Sequence, residues 1–319
     1  MSPYLARRLL FAAMLVFLVS SGALLLTRLA PGDFASGLAA EGVNPAEVAR
    51  ERARYGLDRP IVAQYLEWLS RAARLDLGTS LLYRRPVADL VWQRSLNTAL
   101  LALAALLVAT CAGLTAGVYT GSRRGAVASA VRGLSLVLLS LPSLVTSLVL
   151  VLLAARTGWL PVGGMGSAAA SQAGTAGWLA DLAWHLPLPA LALALPIAAT
   201  LERLQAQAVS EAIRQPFTLA ALARGVPMRR VIWRHALRAS LSPVASVYGF
   251  VLASLLSGSF IVEIVTAWPG LGRLLYDALR ARDVYLVAGC AAAGSMFLAA
   301  GSLVSDLALA WADPRLRRP

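Results

Sequence analysis

The sequence predicts an all-α, polytopic membrane protein with six transmembrane helices. Of its 319 residues, 58% are hydrophobic and only 14% are charged, whereas soluble domains carry about one quarter charged residues. Six uncharged runs are long enough to cross a hydrocarbon core about 30 Å thick, which requires about 20 helical residues. Arginines lie in the short segments between these runs, as in proteins whose loops set their orientation in a membrane.

Each predicted span is one uncharged run, and the runs cover residues 9–27, 95–122, 133–155, 182–201, 239–262 and 284–305. Arg7 and Arg8 precede the first run, but its length and the lack of a clear cleavage site favour a retained helix over a secretory signal. Pro187, Pro189 and Pro196 crowd the fourth run. These prolines predict that the fourth helix is kinked or starts late.

Two glycine-rich stretches receive different interpretations. Residues 157–180 are also uncharged, but they contain six glycines and Pro161, so we predict an external loop there, part of which re-enters the membrane. In the second span, Gly113, Gly117 and Gly121 recur every four residues. That spacing lets helices approach closely in lipid. It also arises from composition alone in an alanine-rich chain, and the sequence does not choose between these explanations.

The arginines predict the side of the membrane that each segment occupies. All 29 basic residues are arginine, and the net charge is +13. With the N-terminus inside, the short cytoplasmic segments hold fifteen arginines and the two short external loops hold four, in agreement with the positive-inside rule. We therefore predict a multi-pass protein of the cell inner membrane with both termini cytoplasmic. Because the arginines follow the membrane topology, we expect membrane lipid and no nucleic acid as a partner.

The predicted spans lack the groups that chemistry or ion coupling would require. Glu202 and Glu263 flank their predicted helices, whereas ion-coupled carriers place ionisable groups inside the bilayer. A phosphate-binding GxxxxGK[ST] loop is impossible without lysine, and no nucleophile, base or metal-ligand arrangement stands out. We predict no enzyme activity and no catalytic, cofactor or metal site. Energy for uphill transport must then come from a partner; an ion-coupled secondary carrier or channel is the alternative.

Residues 202–243 form the segment that is most informative about function. Pro216 and Gly225 bracket a predicted helix of about two turns, since proline suits a first helical position and glycine the residue beyond a helix end. Arg224 is predicted to lie in the last turn of this helix, where a cation opposes the negative end of the helix dipole. A second helix, opened by Pro227, carries four arginines. The short helix is apolar for an exposed place, so it lies in the lipid interface or docks in a groove of a cytoplasmic protein.

Several strings, taken in order, resemble one protein family. They are RLAPGD at 28–33, GLDRP at 56–60, QY at 64–65, DLGTS at 76–80, RRPV at 84–87, HLPLPAL at 185–191, FTLAALARG at 217–225, HALRASLSP at 235–243, GSFIVE at 258–263, PGLG at 269–272, the pair Arg282 and Asp283, and DPR at 313–315. Together they resemble the binding-protein-dependent permeases of ATP-binding-cassette (ABC) importers, in particular the first permease of the dipeptide, oligopeptide and nickel branch.

The resemblance implies a fold, partners and a coupling site. It implies the type I importer (MetI-like) arrangement with an extracytoplasmic helical insertion after the first helix. It implies half of a pathway for peptides or a related solute such as a nickel chelate. Its partners would be a second permease, two ATPases that bind ATP and Mg²⁺, and an extracytoplasmic solute-binding protein. The coupling helix to the ATPases would comprise Pro216, Phe217, Leu219, Ala220, Ala221, Leu222, Arg224 and Gly225. The branch usually has an acid, an arginine and a lysine at positions 216, 222 and 224, so the ATPase partner stays open.

The same reasoning divides the chain into four regions. These are an N-terminal transmembrane helix (1–30), an extracytoplasmic helical segment (31–94), a five-helix core with the coupling loop (95–312, loop 202–243) and a cytoplasmic tail (313–319). Within 31–94 we predict helices at 46–54 and 61–73, with an apolar face of Tyr65, Trp68 and Leu69. This segment would cap the outer pore mouth or be a solvated loop. At 269–272, Pro269, Gly270 and Gly272 predict a tight turn that gates the pore or only reverses the chain.

Overall fold

The computed structural model describes residues 2–40, 42–167 and 174–312, and over these residues the chain is helical, with one isolated bridge between Thr79 and Pro86. The predicted all-α class is therefore confirmed. The chain forms two compact units, Met1–Ala99 with Pro269–Ala299, and Leu100–Trp268 with Ala300–Pro319. The predicted tail at 313–319, including the DPR string, lies outside the described residues.

The first unit begins with the long helix α1 (Ser2–Leu29). Its other helices are α2 (Phe34–Ala40), α3 (Pro45–Arg54), α4 (Ile61–Ala72), the first part of α5 (Val87–Ser122), α14 (Leu271–Ala281) and the first part of α15 (Val284–Ala312). We label the helices along the chain, so α6 to α13 belong to the second unit.

The second unit contains the remaining helices and the ends of α5 and α15. They are α6 (Ala126–Ser140), α7 (Ser143–Thr157), α8 (Gly174–His185), α9 (Pro187–Ile213), α10 (Pro216–Ala223), α11 (Met228–Arg230), α12 (Leu237–Ala245) and α13 (Tyr248–Val265). A π-helical stretch, Val231–Ala236, joins α11 to α12.

Five described helices are long and apolar enough to cross a membrane, and a bent pair supplies a sixth crossing if it counts as one span. The bent pair is α6 and α7, which meet at 111°. A single straight helix over 133–155 is therefore wrong. Pro142 precedes α7 and Leu141 is extended, because the ring of a proline disfavours helical backbone at the residue before it. The sequence signal was present but was outweighed by the long uncharged run.

Other boundaries also differ from the sequence prediction; for example, α5 begins at Val87 rather than at residue 95. Helix α8 begins at Gly174, so the loop predicted for 157–180 is wrong over its last residues. Helix α9 extends to Ile213, and Glu202 lies inside it and is only 3% exposed rather than flanking it. The predicted fifth span is broken between α12 and α13, and Pro243 lies within α12. Helix α9 thus continues beyond its apolar run into a stretch that contains charged residues.

The second unit contains the close helix contact that the glycine spacing suggested. A Cβ atom built on Gly113 would lie 2.7 Å from the carbonyl oxygen of Ala198, and one on Gly117 would lie 2.6 Å from that of Glu202. A Cβ on Gly121 would also overlap backbone, at Ala206. Because these atoms belong to the backbone of α9, they cannot move aside as a side chain could. Close packing of α5 on α9 is the explanation that the structure supports.

In the first unit, the helices between α1 and α5 pack against one another and against α1 and the start of α15. Helices α3 and α4 match their predicted bounds within one residue. Trp68 is buried against Leu24 and Val284, and Tyr65 and Leu69 pack on the same cluster. The predicted apolar face of α4 is confirmed, and this part of the chain is not a solvated loop. Its place over a pore mouth stays a prediction.

The PGLG string opens a helix instead of forming a tight turn. Gly270 is the N-cap of α14, which starts at Leu271 and includes Gly272. The Leu271 amide donates to Thr98 Oγ1 at 2.8 Å, and Asn97 Nδ2 donates to the carbonyl oxygen of Pro269 at 2.8 Å. The predicted tight turn is therefore wrong. A helix begins here instead, because Thr98 of α5 accepts a hydrogen bond from the Leu271 amide, which has no partner within its own helix.

Candidate functional site

The short helix α10 has the boundaries that its proline and glycine predict. Pro216 occupies its first turn, where its missing N–H costs no hydrogen bond. Gly225 follows the helix with φ +80°. Its amide donates to Leu222 O at 2.9 Å, and the Val226 amide donates to Ala221 O at 3.2 Å. This pair of bonds is a Schellman motif, which satisfies carbonyl groups at the end of a helix.

One side of α10 is anchored and the other is exposed. Thr218 and Ala221 are buried, and Thr218 Oγ1 donates to the carbonyl oxygen of Ala212 in α9 at 2.8 Å. Phe217 and Leu219 remain 45% and 55% exposed. Sequence reasoning missed Thr218, although a polar residue inside an apolar string was a usable signal. The result is an outward apolar surface on a helix whose orientation is fixed from the inward side.

The predicted coupling residues therefore divide into three groups. Ala221 is buried and Leu222 is half-buried, whereas the exposed members are Pro216, Phe217, Leu219, Ala220, Arg224 and Gly225. Arg224 is the residue after α10 rather than part of its last turn. The structure brings the exposed members together at one surface. We call this surface, formed by Pro216, Phe217, Leu219, Ala220, Arg224 and Gly225, the α10 face.

The predicted second helix is also present, as the continuous stretch from α11 to α12. Val231, Ile232 and Ala236 are buried, and Ile232 packs with Val118 and Val209. Its four arginines, Arg229, Arg230, Arg234 and Arg238, are exposed. The stretch thus buries an apolar side against α5 and α9 and presents a basic side outward.

An open groove of about 500 Å³ lies beside α10. Phe217 and Gln215 line one part, Gln207 and Glu211 of α9 another, and Pro243 of α12 a third. The groove is large enough to receive side chains of another protein. Its polar and apolar atoms are mixed, as is usual for non-obligate interfaces.

A buried polar cluster connects α9 to its neighbours close to this surface. Thr120 Oγ1 in α5 donates to the Glu202 carboxyl, and Gln205 Nε2 donates to Ser240 Oγ in α12 at 2.7 Å. Glu202 and Gln205 are both buried. The sequence prediction ended this helix at Leu201 because Glu202 ends the uncharged run, and the Thr120 partner that accommodates the carboxyl lies 82 positions away. This cluster links the loop that carries α10 to two of the long helices.

Comparison with known proteins accounts for nearly the whole chain. Residues 113–318 match the family described as binding-protein-dependent transport system inner membrane component. Residues 1–101 match the N-terminal domain described for the same membrane components. The chain belongs to this family. The family is one of transport permeases and has the MetI-like fold, so the predicted fold class and the absence of an enzymatic role agree with it.

Individual relatives cover the permease from end to end. This chain is 29% identical over 319 residues to the oligopeptide transport system permease protein AppB of Bacillus subtilis, with 99% of each chain covered. It is 34% identical over 325 residues to the oligopeptide transport system permease protein OppB of Mycobacterium tuberculosis, again with 99% of each covered. A putative peptide transport system permease protein of Brucella abortus is 34% identical over 320 residues, at the same coverage. The predicted resemblance to ABC importer permeases of the peptide family is confirmed.

Strings that carry the resemblance hold the first unit of the permease together. Asp283 is the clearest case. Its Oδ2 accepts from Ser80 Oγ at 2.6 Å and from the Leu82 amide at 3.0 Å, and its Oδ1 accepts from the Leu286 amide at 3.1 Å. Burial raises the pKa of this carboxyl, and these hydrogen bonds oppose that effect. One carboxyl thus caps α15 and anchors the DLGTS string.

The RLAPGD string has a comparable structural role in the permease. Gly32 has φ +87°, and a Cβ there would overlap the guanidinium of Arg282. Asp33 accepts from Arg52 Nε at 2.9 Å and from the Ser36 amide at 2.7 Å. Burial opposes ionisation of Asp33, but the bonds from Arg52 and Ser36 outweigh it and lower the pKa of Asp33 to about 2. These residues fix the start of α2 and its contact with α3.

Proposed function

We propose that this permease subunit of an ABC importer receives force from two ATPase subunits through the α10 face. The observation that carries the proposal is an apolar surface, exposed on a short helix that is capped at Gly225 and bonded to α9 through Thr218. Such a helix can push on α9 without unfolding. The polar cluster around Glu202 and Gln205 would pass the displacement on to α5 and α12.

The assembly that follows has four kinds of component. The permease pairs with a second permease, and each forms half of the translocation pathway. Two ATPases bind ATP and Mg²⁺ and carry out hydrolysis, so this chain holds no cofactor itself. An extracytoplasmic solute-binding protein delivers the cargo. The support is the match along the chain to a family named for its dependence on a binding protein.

Removal of apolar side chains from α10 tests the coupling role. When the complex is purified through a tag on this chain, the double variant Phe217→Ser, Leu219→Ser should retain at least about tenfold less ATPase than the wild type. The reason is that central apolar contacts dominate interface energies. Val62→Ser, which replaces an apolar residue that is 68% exposed and lies outside the α10 face, is the control. The second permease should co-purify with both variants, which reports on folding. Full retention of the ATPases by the double variant would disprove the assignment.

The orientation is part of the same proposal, because α10 must face the cytosol to meet an ATPase. In a background with Cys111→Ser and Cys290→Ser, we expect Ala223→Cys to react with an impermeant maleimide only after cell disruption. Trp159→Cys, at a residue 78% exposed, should react in intact cells. Labelling of position 223 in intact cells would place α10 outside and end the proposal.

The cargo is a peptide or a related small solute such as a nickel chelate. The relatives named as oligopeptide or peptide transport proteins support the first. A thermal-shift screen of the cognate binding protein with peptides of two to six residues and with nickel chelates distinguishes these classes. A shift with the chelates alone would assign the metal complex and exclude peptides.

A further inference from the structure

An arginine-rich pocket of about 420 Å³ lies where α5 ends beside α6 and α9. We call it the arginine pocket. Ser210 and Gln207 of α9 contribute polar side chains to its wall. Its cationic lining residues are Arg123, Arg124, Arg132 and Arg214. The pocket and the groove beside α10 involve the same stretch of α9, and Gln207 lines both, but none of the four arginines has a part in the coupling role described above.

The charge of the arginine pocket is largely uncompensated. Within the described part of the chain, none of its four arginines makes an ion pair with a carboxylate. The acids on α9 are Glu202, which is bonded to Thr120 and buried, and Glu211, which does not line the pocket. Four cations around a concavity with two nearby acids give a site that favours anions.

Local contacts hold some of these guanidinium groups in place. Arg132 Nη1 donates to the carbonyl oxygen of Thr120 at 3.2 Å, and its Nη2 donates to Ser129 Oγ at 3.4 Å. The Arg123 guanidinium lies 5.4 Å from the ring centre of Tyr119. An arginine has five N–H donors, so Arg132 retains donors for a ligand. Guanidinium groups bind the oxygens of phosphate in a bidentate manner better than lysine does.

The position of the pocket along α5 indicates what the anion is attached to. The uncharged run 95–122 measures about 42 Å as helix, more than a hydrocarbon core of about 30 Å. Arg123 therefore lies at the level of the lipid headgroups. We propose that the arginine pocket binds the phosphate of an anionic phospholipid headgroup, as basic pockets between membrane helices do. This site is additional to the coupling role and does not depend on it.

Lipid binding to the purified full-length permease tests this proposal. Native mass spectrometry in mild detergent would measure binding of phosphatidylglycerol and of phosphatidylcholine with the same acyl chains. Arg124→Gln with Arg132→Gln should weaken phosphatidylglycerol binding at least about tenfold, since each basic residue near a lipid surface contributes measurably. Arg229→Gln with Arg230→Gln removes the same charge outside the pocket and should change binding about twofold or less. Phosphatidylcholine binding should not change.

The outcomes distinguish lipid binding at the arginine pocket from a general effect of charge and from binding of soluble phosphate. Equal loss in both double variants, or no loss in either, would overturn the proposal. Inorganic phosphate, added without lipid, should leave the melting temperature unchanged. A stabilisation by phosphate that the pocket variant abolishes would assign a soluble anion instead and equally overturn it. All four arginines are exposed, and the single variant Arg214→Gln provides a milder test if the double variant fails to fold.

Discussion

Single residues in the permease combine backbone conformation with side-chain contacts in ways that make some positions intolerant of change. Gly225, Gly32 and Asp283 are examples from three different strings of the family resemblance. Gly225 requires only its positive φ, since a Cβ there meets nothing within 4 Å. Gly32 requires its positive φ, and a Cβ there would also displace the flexible end of the Arg282 side chain. Asp283 is needed for its hydrogen bonds. The family resemblance includes these three residues, but only the structure shows what each of them does.

Substitution of Gly225 should damage coupling through backbone strain alone. Gly225→Ala is expected to destabilise the end of α10 by about 1 kcal/mol because φ +80° disfavours a residue with a Cβ. A bulky residue should abolish transport while membrane insertion is retained. Gly133→Ala, in open space at an ordinary backbone angle, is the control. Uptake by proteoliposomes that contain the whole transporter measures the effect; normal uptake in the bulky variant would contradict the coupling assignment.

The lowered pKa of Asp33 predicts how the first unit responds to acid. Its folded pKa of about 2 lies below the unfolded value of about 3.9. A depressed pKa in an acid gives stability that is present above the unfolded pKa and lost as pH falls through the folded pKa. We therefore expect exchange of the Ser36 amide, which donates to Asp33, to become faster relative to its intrinsic rate between about pH 4 and pH 2.

The matching control removes the titrating group. In Asp33→Asn the relative exchange rate of the Ser36 amide should be raised at neutral pH and should not change further in that window. Hydrogen exchange read by mass spectrometry measures both proteins. An unchanged pH step in the variant would show that another group is responsible.

At the scale of elements, sequence signals succeeded where a local residue decides the structure. Asn44 caps α3 through the Ala46 amide at 2.9 Å, and Pro216 and Gly225 bracket α10, so these boundaries could be predicted. The bend at Leu141 and Pro142 was not predicted, because the uncharged run continues through these two residues. Glu202 was misplaced because its burial depends on Thr120 of another helix. Long-range partners of this kind leave no mark in the local sequence.

The glycine contacts between α5 and α9 should be among the least tolerant in the second unit. Gly117→Leu forces a side chain into the backbone of α9, and overpacking of this kind costs about 1–3 kcal/mol. Gly22→Ala in α1 has no neighbour within 4 Å of the new Cβ and should be neutral. Thermal unfolding in detergent compares the two. If Gly117→Leu melts at the wild-type temperature, α5 and α9 do not pack as described.

For the whole molecule, the main question is whether the chain can transport anything by itself. The family match covers both units, and the relatives match over their full lengths. A permease of this kind is a component, so the chain is expected to need its ATPases. The sequence could establish this class because many weak strings occur in the right order. It could not give the cargo, since no string describes it.

Proteoliposomes with the isolated chain should therefore show no uptake of labelled oligopeptides under a proton or sodium gradient. Addition of the second permease, the ATPases, the binding protein and ATP should produce uptake. An empty-vesicle control sets the background. Gradient-driven uptake by the isolated chain would favour the ion-coupled carrier over an ATP-driven importer.

The 111° bend between α6 and α7 has a consequence for biosynthesis. Hydrocarbon offers no hydrogen bonds to the carbonyl groups that a helix leaves unpaired at such a break. Helix α9, against which both α6 and α7 pack, is made later than either of them. We therefore expect the insertion machinery to retain residues 126–157 until residues 187–213 have emerged from the ribosome, so that nascent chains truncated before α9 are degraded.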